Sequence, residues 1–223
     1  MAFFDFAKRY VGGFVLEEGL NYLAKNPEQN LEKLINLARR FARADWHKAQ
    51  LEQVANYLLN DTPQREFAIR LLKNTHPNVR SKMFVDFFVN AVFLGVPKQM
   101  EMSEKLGVHI PWFILIDPTT SCNLRCVGCW AGEYQQHFSL GKELMDRIIT
   151  EAKELGIYFI TVSGGEPFLS KEFIEIAEKH EDVIFHTYTN GTLIDEKMAK
   201  KIVELGNIAP AISLEGFEKE TDE

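Results

Sequence analysis

Cysteine is scarce in this 223-residue chain and confined to one place: there are three, Cys122, Cys126 and Cys129. An odd, tightly clustered set is a poor disulfide framework and reads instead as a metal or cluster site in a reducing compartment. Basic residues are not in excess. Twenty-five Lys and Arg stand against 32 Asp and Glu, for a net charge of −7 and a pI near 5.5. That balance argues against a protein whose partner is nucleic acid. No long apolar run is present either. The most apolar stretch, 83–96, is interrupted by Asp86 and Asn90 and falls short of the ~20 residues a spanning helix needs. The first ten residues lack the basic-then-apolar order of a signal peptide. With 46% hydrophobic and 26% charged residues, the composition excludes a disordered or collagen-like chain. The expectation is a globular, cytoplasmic protein of one large domain or two small ones.

What is present changes texture near residue 105. Before it the periodicity is helical: Leu31, Leu34, Ile35, Ala38, Phe41 and Ala42 recur on one face, and Leu51, Val54, Ala55, Leu58 and Leu59 repeat the pattern. Asn26-Pro27 and Thr62-Pro63 read as helix starts, a capping side chain followed by proline. The first 106 residues are therefore expected to form an all-α domain of five or six short helices. A helix over 79–94 is apolar on most sides, with Lys82, Asp86 and Asn90 as a narrow polar stripe. Such a helix is either buried by its neighbours or a surface for a lipid or a partner.

From 107 to 223 strands and helices alternate. Apolar runs at 112–116, 158–162, 183–189 and 208–214 read as strands. Helices are expected behind Ser139, Ser170 and Asp195, the last stopping at Gly206. Strict alternation means parallel strands with right-handed crossovers, and chemistry collects at their carboxyl ends. Those ends carry the cysteine loop, Gly164-Gly165-Glu166-Pro167, Thr189-Asn190-Gly191-Thr192 and Ser213-Leu214-Glu215-Gly216.

Structural zinc and ferredoxin-type clusters ask for four ligands, and the chain has three cysteines. His137, eight residues past Cys129, is not at a usual zinc spacing. Three thiolates on a four-iron cluster would leave one iron open to a substrate or cofactor.

The C-x3-C-x2-C loop after one strand, followed by Gly-Gly-Glu-Pro after the next, resembles the radical S-adenosylmethionine superfamily over residues 110–216. The resemblance implies an α/β fold: the first four strands of that family's partial (β/α) TIM-like barrel, preceded here by the helical domain. It implies that Cys122, Cys126 and Cys129 hold a [4Fe-4S] cluster whose open iron is chelated by the methionyl end of S-adenosyl-L-methionine. Reductive cleavage of that cofactor would release a 5′-deoxyadenosyl radical that abstracts hydrogen from a substrate the sequence does not name. Gly164 and Gly165 would allow close backbone approach, and Glu166 would meet the methionyl ammonium. Asn190 resembles a position facing the cofactor. Ser213 and Glu215, on one side of their strand, resemble the family's ribose-contacting segment. A reducing electron donor such as a flavodoxin or ferredoxin is an implied partner. The apolar helix adds a lipid-like substrate or membrane contact as a further expectation.

Two departures stand out. The family's aromatic residue before the third cysteine is here Gly128, with Trp130 just after it. The family's barrel has about six strands, whereas the sequence reaches four. This predicts a fragment, a truncated product, or an edge covered by a partner or second copy. The rival to an enzyme is a non-catalytic iron–sulfur or zinc-binding module left from a truncated barrel.

Overall fold

Proline and small polar caps start several helices of the first half. The computed structural model describes residues 18–41, 45–129, 131, 138–214 and 216–217. Helix α1 is described over 18–25 and is followed by α2 (Pro27–Phe41), α3 (Asp45–Leu59), α4 (Pro63–Asn74) and α5 (Pro77–Phe84). Proline opens α2, α4 and α5, where its missing N–H breaks no intrahelical bond. The Thr62 hydroxyl caps α4 by accepting the Arg65 N–H at 3.1 Å. The buried faces carry Leu31 and Ile35 of α2, Ala55 of α3 and Leu72 of α4.

The periodicity predicts an ordinary α-helix across 79–94, and the structure widens it. Val85–Gly95 is a π-helix leading directly into α6 (Val96–Leu106), which ends at Gly107. The second residue of α6 is Pro97, which has no N–H and whose ring would press on the carbonyl four residues earlier. A wider turn before it relieves that contact. Asp86 and Asn90 are buried. The Asn90 amide donates to Asp86 Oδ1 at 2.9 Å and to the Asp182 carbonyl at 3.1 Å. Lys82 pairs with Glu181 at 3.0 Å. The polar stripe therefore meets the 181–182 turn, buried at Asn90 and open to solvent at the Lys82–Glu181 pair. Among the described residues no helix is long and apolar enough to cross a membrane.

Two compact units divide between Ser81 and Lys82. The division at 106/107 read from sequence marks a different property, the change of period from helix to strand.

The second unit is built on β1 (Ile114–Ile116), β2 (Phe159–Val162), β3 (Ile184–Thr189) and β4 (Ile208–Ile212), joined by α7 (Lys142–Glu154), α8 (Lys171–Lys179) and α9 (Glu196–Leu205). The strands are all parallel and lie in the order β1-β2-β3-β4. Ile114, Ile160, Phe185 and Ile208 form one register row. That row joins Met145, Ile149 and Ala152 of α7, Phe173, Ile176 and Ala177 of α8, and Ile202 of α9 in the hydrophobic core. Consecutive order with every crossover helix on one face is the winding of a barrel rather than of a doubly wound sheet. The structure is thus α/β, with four strands of a partial barrel.

The opposite face carries the row Leu115, Thr161, His186 and Ala209. Phe113, Leu115 and Tyr188 on this side are exposed. Phe159 stacks on Trp112 with ring centroids 5.0 Å apart and lies 6.0 Å from the His186 ring.

Ser170 and Asp195 cap α8 and α9 as expected, accepting from Phe173 N at 3.2 Å and Met198 N at 2.7 Å. The expected cap by Ser139 is corrected. Helix α7 starts behind Gly141 without a side-chain cap, and the Ser139 hydroxyl bonds Thr119 Oγ1 at 3.0 Å. A bridge between Thr119 and Ser139 holds this residue beside the foot of the cysteine loop.

Candidate active site

The carboxyl ends of β1 and β2 are joined backbone to backbone. Ser163 N donates to the Ile116 carbonyl at 3.0 Å, Gly165 N to Thr119 O at 2.9 Å, and Glu166 N to Ser121 O at 2.8 Å. This pairing carries the chain to the edge of the cysteine loop. Both glycines are required by it. A Cβ on Gly165 would lie 2.1 Å from the Ser121 carbonyl oxygen; one on Gly164, where φ is +107°, would lie 2.5 Å from that of Thr119. The close approach expected of Gly164 and Gly165 is made to the segment that carries Cys122.

Glu166 has no exposed surface. Its Oε1 accepts the Phe168 N–H at 3.1 Å and the Thr189 hydroxyl at 2.8 Å, and its Oε2 accepts the Asn190 N–H at 2.9 Å. The carboxylate thus ties the end of β2 to the end of β3. Three internal donors replace its water, which is how a buried carboxylate is accommodated. Thr189 and Thr192 complete the β3 loop. Thr189 Oγ1 accepts from Gly191 N at 3.0 Å, and Asn190 Oδ1 accepts from the Thr192 N–H at 2.9 Å and its hydroxyl at 2.7 Å.

From this loop the Asn190 amide reaches across to the cysteines. Its Nδ2 donates to Asn123 Oδ1 at 2.9 Å and approaches Cys122 Sγ at 3.8 Å. Asn123 Nδ2 returns a bond to Thr192 Oγ1 at 2.8 Å. Leu124 N lies 3.4 Å from Cys122 Sγ. Sequence reasoning placed Asn123, Thr189 and Thr192 in strand-end segments but gave them no role. They are ordinary turn residues until the strands bring them together.

All three cysteines are free thiols, Cys126 exposed and the other two half-buried. Three thiols on one loop, with N–H groups directed at the first, fit a thiolate-ligated iron–sulfur cluster in donor chemistry. Among the described residues no three His, Cys, Asp or Glu side chains are drawn together as a closed metal-binding group. Gly128 has φ +77°, a backbone that a residue with a Cβ adopts only under strain. Trp130 and His137 lie outside the described residues, as does Glu215. Ser213 extends the β4–β3 pairing by donating its N–H to Thr189 O at 2.9 Å, and its side chain is exposed at the carboxyl edge.

Asp117, one residue past β1, is a further group that sequence reasoning passed over. Its Oδ1 is buried with no hydrogen-bond partner among the described residues, and burial raises its carboxyl above the usual range.

A three-cysteine loop at the carboxyl edge of consecutive parallel β/α units presents the donor set of a thiolate-held metal cluster at the end of a partial barrel. Residues 116–223 form a radical SAM superfamily domain, by their match to that family's profile. The chain is 35% identical over 133 residues to the Fe-coproporphyrin III synthase of Methanosarcina barkeri, covering 54% of this chain and 33% of that protein. It is 28% identical over 133 residues to the mycofactocin maturase MftC of Mycolicibacterium smegmatis, covering 57% of this chain and 33% of that protein. The chain thus spans about a third of the length of these relatives. Among solved structures, Streptococcus suis SuiB bound to S-adenosylmethionine is similar with a TM-score of 0.47 and 18% identity, over 71% of this chain and 42% of SuiB.

Proposed function

We propose that this chain carries the cofactor-binding part of a radical SAM enzyme that abstracts a hydrogen atom from its substrate. The observation that carries the reading is the anchored loop: three free thiols held at the carboxyl ends of adjacent parallel strands by the Gly164-Gly165-Glu166 backbone. Cys122, Cys126 and Cys129 would hold a [4Fe-4S] cluster, with S-adenosyl-L-methionine beside it. When bound, the cluster supplies the electron that cleaves the cofactor to a 5′-deoxyadenosyl radical.

The chain's own residues bind and orient. Gly164 and Gly165 keep the loop against β2, and Ser213 offers a hydroxyl at the β4 end for a sugar. Phe113, Leu115, Phe159 and Tyr188 make the open face of the sheet apolar and aromatic. A low-potential donor such as a flavodoxin or ferredoxin supplies the electron, and free thiols suit the reducing cytoplasm. The two relatives carry unlike names, one for synthesis of Fe-coproporphyrin III and one for maturation of mycofactocin.

The test is anaerobic reconstitution with iron and sulfide, then EPR of the dithionite-reduced chain with and without S-adenosylmethionine. A four-iron signal that changes on adding the cofactor is expected, and Cys126→Ala should abolish it. A cluster whose signal ignores the cofactor would overturn the enzymatic reading in favour of a non-catalytic iron–sulfur module.

A further inference from the structure

Resting on that reading of the cysteines, we propose that Asn190 is a positioning residue for the cluster: its side-chain amide holds the cysteine loop to the end of β3 and donates a hydrogen bond to the Cys122 sulfur. The donor is aimed from three directions. Glu166 Oε2 fixes the Asn190 backbone through its N–H at 2.9 Å. The Thr192 N–H and hydroxyl hold Asn190 Oδ1 at 2.9 and 2.7 Å. That leaves the Nδ2 hydrogens for Asn123 Oδ1 at 2.9 Å and Cys122 Sγ at 3.8 Å. With both acceptors on the cysteine loop, the amide acts as a clasp between residues 67 and 68 positions apart in sequence.

An N–H directed at a ligating thiolate withdraws electron density from the sulfur. It therefore stabilises the reduced, more negative state of the cluster, which is one of the ways a protein sets such a potential. The same hydrogen bond selects the orientation of the first ligand before a metal arrives. This assigns the amide to the cluster loop, where the family resemblance had it facing the organic cofactor.

The experiment compares the wild type with Asn190→Ala and Asn190→Asp after anaerobic reconstitution. Asn190→Asp keeps the oxygen that accepts from Thr192 and loses the donor, so it preserves the turn should the alanine variant fold poorly. Iron content, the midpoint potential from an EPR-monitored redox titration, and S-adenosylmethionine affinity from the change in the EPR signal are read together. In the metal-free proteins, hydrogen exchange of the 119–129 peptide reports the clasp itself. We expect faster exchange in both variants. At a fixed potential we expect about tenfold less reduced cluster, a shift of about 59 mV to more negative values for a one-electron couple. Near-unchanged potential with normal iron content overturns the proposal. So does unchanged potential with weakened cofactor affinity, which would make Asn190 a ligand of S-adenosylmethionine. A wild-type chain that takes up no four-iron cluster overturns the underlying reading of the cysteines and the proposal with it. Loop exchange would still separate that failure from a failure of the clasp.

Discussion

A carboxylate with no exposed surface needs donors inside the protein, and Glu166 has three. Replacing it by glutamine keeps size and shape but puts an NH2 where an oxygen accepted. In one orientation that group faces the Asn190 N–H; in the other it faces the Phe168 N–H. One donor is left against a donor in either case, so Glu166→Gln should lower stability by about 1–3 kcal/mol. Urea unfolding of the metal-free chain measures this, and a loss near zero would show that the carboxylate is not bound internally as described. His180 supplies a pH prediction at the same scale. It is buried, its Nε2 lies 2.8 Å from Asp146 Oδ1, and burial pushes its pKa below the ordinary 6.5. As pH falls through 6.5 the unfolded chain takes up a proton that the folded chain refuses. Stability should therefore decline from pH 6.5 down to the folded value and level off below it. Asp146 acts on a lower range. Its pKa is depressed by hydrogen bonds from Lys179 and His180, so its contribution is present above 3.8 and lost as pH falls through the depressed value. Urea midpoints between pH 7.5 and 5 should slope downward in the wild type and flatten in His180→Gln. Parallel slopes would remove His180 as the cause.

Elements meet at the glycines, and here the structure shows what the sequence withheld. Strands, crossover helices and caps were legible because each rests on a local signal: a run of Ile and Val, a stripe at helical spacing, a Ser or Asp before it. Local signals failed where the partner is distant. Ser139 looks like a cap and instead bonds Thr119. The wider turns of Val85–Gly95 leave no pattern that separates them from an α-helix. Gly164-Gly165 is visible as a motif, but its reason appears only when the Thr119–Ser121 backbone lies against it. Gly165→Ala tests that reason. The added Cβ would sit 2.1 Å from the Ser121 oxygen and 2.4 Å from its carbon, and backbone cannot swing aside as a side-chain tip can. The foot of the cysteine loop must shift. Stability should fall by about 1–3 kcal/mol, and iron retained after reconstitution should drop by more than half. Gly141→Ala is the control, because a Cβ there meets nothing within 4 Å. Equal iron uptake in the two variants would detach the glycine pair from the cluster loop.

At the scale of the whole molecule, the question is which part of the chain the site depends on. Among the described residues, the buried core beneath the sheet runs from Ile110 to Ile208, within the second unit. It fills one face of the sheet, the face under α7, α8 and α9, while Phe113, Leu115 and Tyr188 stay exposed on the other. The polar network from Glu166 through Asn190 to Cys122 likewise lies wholly within the second unit. Among the described residues, the packing that stabilises the strands and the hydrogen bonds that present the cysteines come from Lys82 onward. A fragment starting at Pro77, so that α5 is left whole, should therefore unfold cooperatively in urea and take up iron to the level of the full chain. It should also give the same reduced EPR signal, since the ligands and their donors are all retained. A fragment that folds but binds no iron would show that the helical unit contributes to the site. One that loses its near-ultraviolet circular dichroism while keeping helix would show that the core under the sheet is not sufficient on its own.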